Sequence, residues 1–289
     1  MAPPAPLCYT AAMPIAVFGI VLFAAALHAS WNAIVKGAGD KLLMSMLVAA
    51  SGSILAAIAL PFLRQPNPAS WPYLPASVTL QITYFLLLAR TYQAADMGQA
   101  YPMMRGSAPL LVALVSAVGF GEPLSAGMCA GIGMICLGIL SMAAGVRRTD
   151  AKGVLLALLN ALVIAGYTLI DGRGVRLSGA PAAYVFWDFL LTGLPLAAWA
   201  IHLRRGSLGS YLRGNWPLVS IGGAGSLVSY GLALWAMTVA PVAVVAALRE
   251  TSILFGIVIA RLLLRERTGL LRVTAACIIA LGALTLRLA

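Results

Sequence analysis

Two arginines stand where the chain is otherwise oily. Arg105 lies in PMMRGSAPLLVALV (102–115), between Pro102 and Pro109 and beside Gly106; Arg249 lies in ALRETSILFGIVIA (247–260). A charge at bilayer depth is unfavourable by several kcal/mol unless partners or water stabilise it, so each is a functional candidate. Two chemistries suit a guanidinium there. Its planar fork of donors can hold the carboxylate of a small substrate. Alternatively it closes an internal ion pair, with Glu250 or Asp96 as the acid, or snorkels to the headgroups. Pro102 and Pro109 remove backbone donors, which predicts a kinked helix facing a cavity or a tightly packed kink.

Other polar and aromatic side chains recur at helical spacing. His28, Trp31, Asn32 and Val35 share one face of the first apolar segment, and Asn160, Ile164, Tyr167 and Asp171 one face of the sixth. Gln81, Tyr84, Leu88 and Tyr92 do so in the third segment, Ser226, Ser229, Tyr230 and Met237 in the eighth. With Tyr101 and Ser252 near the two arginines, these make an apolar lining with few polar groups, which suits an amphipathic metabolite. The bland reading of each is a helix–helix hydrogen bond. Asp188, in YVFWDFLL, is the partner of an arginine, a residue near the membrane interface or, like Glu250 or His28, a carrier of coupling protons. His202 sits beside the basic end of its segment.

The elements that must hold these residues follow from composition. The chain is 62% hydrophobic and 9% charged over 289 residues, against about 25% charged in soluble domains. A hydrocarbon core of about 30 Å takes roughly 20 apolar residues per helix. Breaks at charges and at Pro/Gly clusters predict an all-α membrane protein of ten spans, near 13–35, 41–63, 74–95, 98–118, 126–144, 153–172, 181–203, 217–239, 242–264 and 269–288. The first span lacks a basic leader and is expected to be retained. The net charge of +11 is scattered at segment ends, where lipid headgroups call for it, and implies no nucleic-acid partner. Cys8, Cys129, Cys136 and Cys277 are too dispersed for a disulfide framework, and neither a metal nor a cofactor is expected. Lys36, Lys41, Arg147, Arg148, Lys152, Arg204, Arg205, Arg213, Arg265 and Arg267 fall in connections on one side; the positive-inside rule then puts both termini outside.

The chain repeats itself. At an offset of 144, Arg105 meets Arg249, Ser107 meets Thr251, Leu110 meets Leu254, Glu122 meets Glu266, and Leu137-Gly138 meets Leu281-Gly282. At a slightly shorter offset Trp31 meets Tyr167. Five spans per copy (13–145 and 152–288) oblige the second copy to enter from the opposite side, giving two inverted five-helix repeats. Within the fifth span, GMCAGIGMICLG (127–138) reads as close helix packing rather than chemistry.

Ten spans in two halves, the aromatic end of the first (HASWNAIVKG, 28–37) and an acid between the fourth and fifth of each half (GEPLS, 121–125; RERTG, 265–269) resemble the drug/metabolite transporter superfamily. Within it the chain is similar to the EamA-type exporters, which include an exporter of aromatic amino acids. The first half has Gly-Glu-Pro where that family has Gly-Glu-Arg. The resemblance implies a cavity lined by the first, third and fourth spans and their mates, with the fifth and tenth at the periphery. A secondary transporter exporting amino acids, aromatic ones included, is therefore expected, as a multi-pass monomer in a bacterial inner membrane with lipid and a small molecule as its partners. Sugar phosphates or nucleotide sugars are the alternative cargo, though they call for clustered cations that two deep arginines do not supply. A membrane-embedded enzyme is the alternative class; no acidic, metal or nucleophile motif supports it.

Overall fold

Within a bilayer every backbone N–H and C=O must be bonded inside the protein, and helices do this locally. The computed structural model describes residues 13–94, 97–119, 121–143, 151–262 and 269–289, and its regular elements are all helices. In chain order they are α1 (Ile15–Gly37), α2 (Lys41–Ala59), α3 (Tyr73–Ala94), α4 (Met97–Gly119), α5 (Ala126–Ala143), α6 (Ala151–Ser178), α7 (Pro181–Leu203), α8 (Leu208–Met237), α9 (Val242–Arg249), α10 (Ser252–Leu262) and α11 (Leu270–Leu288). Short 3₁₀ turns at Leu60–Phe62 and Pro68–Ser70 link α2 to α3. Cys8, Asp96, Arg147, Arg148, Arg265, Glu266 and Arg267 lie outside the described residues, as does the side chain of Tyr92.

Among the described residues nine stretches are long and apolar enough to cross a bilayer, with α9 and α10 together forming one of them. The tenth expected span, α3, is as long but more polar. Its Ser77 and Gln81 turn inward to bond acids on α6 and α7. Large apolar side chains such as Phe62 (86% exposed) and Val118 (80%) point outward, while Asp171 and Asp188 are fully buried. That inversion of the soluble pattern is what a lipid environment selects.

Helix pairing is self-exchanging. α1 packs on α8 as α3 does on α6, and α4 packs on α6 as α9 and α10 do on α1. The pair α5 and α11 meets through glycines: a Cβ on Gly138 would come within 3.0 Å of the Ala275 carbonyl, and one on Gly282 within 2.9 Å of the Gly131 carbonyl. These two contacts are images of each other at the offset of 144, and their order makes α5 and α11 antiparallel. On α2 and α7, Ser53 donates to the Phe189 carbonyl (2.7 Å) while Ala49 faces Gly193; these mates also run antiparallel.

Among the described residues a helix break falls away from the prolines that α4, α7 and α8 carry inside them. α4 stays helical through Pro102 and Pro109. The break falls between α9 and α10 instead. The Glu250 and Thr251 amides donate three residues back, to Ala247 and Leu248 (both 3.0 Å), and the Thr251 hydroxyl also bonds the Leu248 carbonyl (2.6 Å). This tight 3₁₀ turn ends one helix and starts the next.

Each end of the bundle is tied across the halves. At one end Arg204, after α7, pairs with Asp40, before α2 (2.6 Å). At the other, Arg176 of α6 pairs with Glu122 and donates to the Met237 and Ala240 carbonyls. Asp40 also caps α2 by accepting from the Leu43 amide (3.0 Å). That bond is the main reason its carboxyl lies below the usual range; partial burial opposes the shift and Arg204 adds to it. A depressed pKa contributes stability above the unfolded value, about pH 4, and loses it as pH falls through the folded one. Asp40→Ala should therefore lower stability by about 1 kcal/mol at neutral pH through the lost cap, with the half-exposed Arg204 adding little. In detergent melts the gap between the two proteins should close below about pH 4, and Asp40→Asn should keep most of the cap.

Candidate functional site

The deep polar residues converge where α1, α3, α4, α6, α7, α8 and α9 meet. Arg105, about 12 Å along α4 by helical rise, is 7% exposed; Glu250, at the helix break, is 4% exposed. Arg105 Nε stands 2.9 Å from Glu250 Oε2. The pair is out of line, however, and neither of those two atoms makes a hydrogen bond. The Arg105 Nη2 reaches His28 Nε2 at 3.4 Å, and the His28 ring meets Trp31 edge-on at 5.1 Å. The ion-pair reading of Arg105 thus has its acid, in Glu250.

Arg249 is placed differently. Its guanidinium carbon lies 5.0 Å from the centre of the Tyr230 ring, a cation–π distance. The Tyr230 hydroxyl in turn donates to Asp171 Oδ2 (2.5 Å). Asp171 accepts two further hydroxyls, from Ser77 (2.7 Å) and Tyr184 (3.1 Å). Gly174, one turn below Asp171, keeps the way open for Tyr184, whose phenolic oxygen a Cβ there would overlap. The Gln81 amide donates to Ser77 Oγ (3.0 Å) and to both Asp188 oxygens (2.9 and 2.8 Å). A continuous polar chain therefore runs Arg249, Tyr230, Asp171, Ser77, Gln81, Asp188. Asp188 is bonded by Gln81.

Between α4, α6 and α9 lies a cavity of about 10 Å³ walled in part by Arg105, Pro109, Tyr167, Thr168, Arg249 and Glu250. That is room for about one water molecule. Arg105 and Arg249 thus share the interior with the acids Glu250, Asp171 and Asp188. Tyr84 meets Tyr167 edge-on at 6.3 Å and Tyr101 packs with them on the apolar seam of α4 and α6, so an aromatic wall flanks the arginine.

Several expected lining residues are engaged elsewhere. The Asn32 amide donates to the His28 carbonyl of its own helix (2.7 Å), a common local alternative for Asn. Ser229 bonds the Ala24 carbonyl (2.8 Å), and Ser252 is buried at the start of α10. Gln81 belongs to the acids rather than to the aromatic wall. Asn160 bonds Met104 Sδ (3.0 Å) and leaves its own oxygen without a partner. Ser77 and Tyr184 carried no expectation. Each stands one helical turn before a residue singled out, Gln81 and Asp188, and that spacing was the available signal.

Residues 151–288 match the model of the EamA-like transporter family. No curated protein matches the chain. A protein crystal structure is similar over 93% of this chain and 94% of its own, with a TM-score of 0.72 and 21% identity. That likeness is one of fold and spans both halves.

Proposed function

We propose that the chain is a secondary transporter of the EamA type, two inverted five-helix repeats that export amino acids, aromatic ones included. The family match over the second half supports the transporter class, and the fold likeness covers both halves. The antiparallel packing of α2 on α7 and of α5 on α11 supports the inversion. One observation carries the reading: Arg105 and Arg249, equivalent positions of the two copies, wall the same buried cavity on an aromatic flank. Inverted repeats place their cargo at that interface, near mid-depth.

The cavity as it stands is too small for an amino acid, and both ends of the bundle are tied. Transport then alternates the opening of one end with closure of the other, and the break at Glu250 gives α9 and α10 independent movement. A dianionic or larger phosphate cargo would need more cations than these two arginines, each already facing an acid or an aromatic ring. The setting we infer is a bacterial inner membrane, with the chain acting as a monomer.

Counterflow in proteoliposomes tests the cargo. Vesicles preloaded with unlabelled phenylalanine or threonine should accumulate the labelled amino acid, and vesicles preloaded with a nucleotide sugar should accumulate none of its label. Accumulation with the nucleotide sugar alone would reverse the assignment.

A further inference from the structure

Resting on that reading, we propose that the cavity recognises its cargo as a zwitterion, with Glu250 acting as a built-in stand-in for the cargo's carboxylate. The cargo's carboxylate replaces Glu250 on Arg105, and the released Glu250 takes the cargo's ammonium group. α-Amino acids are then accepted, while carboxylates without the amine, and amines without the carboxylate, are refused.

The ion pair itself points this way. A buried pair is held well only when hydrogen bonds complete its attraction. Here Arg105 Nε and Glu250 Oε2 are 2.9 Å apart, yet neither atom makes a hydrogen bond. Separating them loses that attraction, which the two charged groups of the cargo would restore. Both residues wall the cavity, with Arg249 beside them, so anything entering it meets fixed groups of both signs, Arg105 and Glu250 side by side.

Charge balance then sorts the cargo. A zwitterion entering between the two groups removes one ion pair, makes two and leaves the net charge of the cavity unchanged. A simple carboxylate would take Arg105 and leave Glu250 buried as a like charge beside it. A simple amine would take Glu250 and strand Arg105. Either leaves one member of the Arg105–Glu250 pair without the partner it now has, which is unfavourable in a low-dielectric site.

The backbone lets this exchange happen. Glu250 sits at the 3₁₀ turn between α9 and α10, so its side chain can swing without dragging a continuous helix. At the offset of 144 its counterpart is Gly106, which packs closely on Leu140 of α5. The acid is therefore supplied by one half only, which fixes a single polarity for the bound zwitterion. Arg249, the other cation of the wall, is held apart from that exchange over the Tyr230 ring, 5.0 Å from its centre.

The test is counterflow of labelled phenylalanine, 3-phenylpropionate and phenethylamine in proteoliposomes of the full chain, repeated with Glu250→Gln. In the native protein, phenylalanine should exchange about a hundredfold faster, or more, than either analogue, as expected of a site whose polar groups would be left unpaired. Glu250→Gln should lose phenylalanine exchange and accept 3-phenylpropionate at least as well as phenylalanine. Equal exchange of phenylalanine and 3-phenylpropionate by the native protein overturns the inference while leaving amino-acid export intact. Failure of every amino acid, with a nucleotide sugar exchanging, instead removes the export reading beneath it. The native analogue panel decides the matter even if the variant does not fold.

Discussion

Arg105→Ala is expected to abolish exchange and to lower stability by about 3–5 kcal/mol, the cost of leaving a buried partner charged and alone. Glu250 would be that partner, 4% exposed. Glu250→Ala should destabilise by a similar amount, since it strands the guanidinium instead. The informative variant removes both. Arg105→Met with Glu250→Leu replaces the pair by apolar groups of comparable bulk, and such replacements are often neutral or stabilising. The double variant should therefore melt near the native protein in detergent and remain monodisperse, yet carry no amino acid. Stability and transport would then separate cleanly, which marks the pair as kept for its cargo. Exchange surviving in either alanine variant, or a double variant no more stable than the singles, would sink that conclusion.

Much of the architecture was legible because bilayer physics writes it into composition. Long apolar stretches had to be helices, and the matched pairs Arg105/Arg249 and Gly138/Gly282 placed two halves in register. The contacts Gly138 with Ala275, and Gly131 with Gly282, obey the same offset. Glu250 was nameable as the partner of Arg105 because few acids lie inside spans. What escaped was geometry between helices. Periodicity put Asp171 on the face of α6 that carries Tyr167, but not that hydroxyls from α3, α7 and α8 would gather on it. Ser77 and Tyr184 are ordinary residue types, distinguished only by what they face.

The helix break shows a different blindness. Prolines are the usual sequence sign of a broken helix, and α4 has two, yet it runs on. The mate breaks at Glu250–Thr251, with no proline inside the turn. There the Thr251 hydroxyl joins its own amide on the Leu248 carbonyl, which a regular helix would bond with the amide of Ser252. A side chain competing with the backbone leaves little trace in residue statistics.

Asp171→Ala is the second change expected to act strongly, and the comparison with asparagine says why. The native carboxylate accepts from Ser77, Tyr184 and Tyr230 inside a fully buried setting. Alanine leaves three hydroxyls without that acceptor, each at roughly 1–3 kcal/mol before rearrangement. The serine can turn to a carbonyl of its own helix, but the two phenols are tethered to rigid rings. A net loss of about 3 kcal/mol or more is expected in detergent melts. An asparagine side chain would keep one acceptor oxygen and remove a buried charge, so Asp171→Asn should stay within about 1 kcal/mol of native. Transport should separate the variants less than stability does, because Tyr230 holds the Arg249 guanidinium on its ring and is itself anchored by the carboxylate. Both variants loosen that anchor and should raise the concentration of amino acid needed for half-maximal exchange. If asparagine proves as damaging to the fold as alanine, the charge on Asp171 and not its count of accepted hydroxyls holds this end of the bundle together, and the network must be rebuilt around Arg249 as its counter-ion.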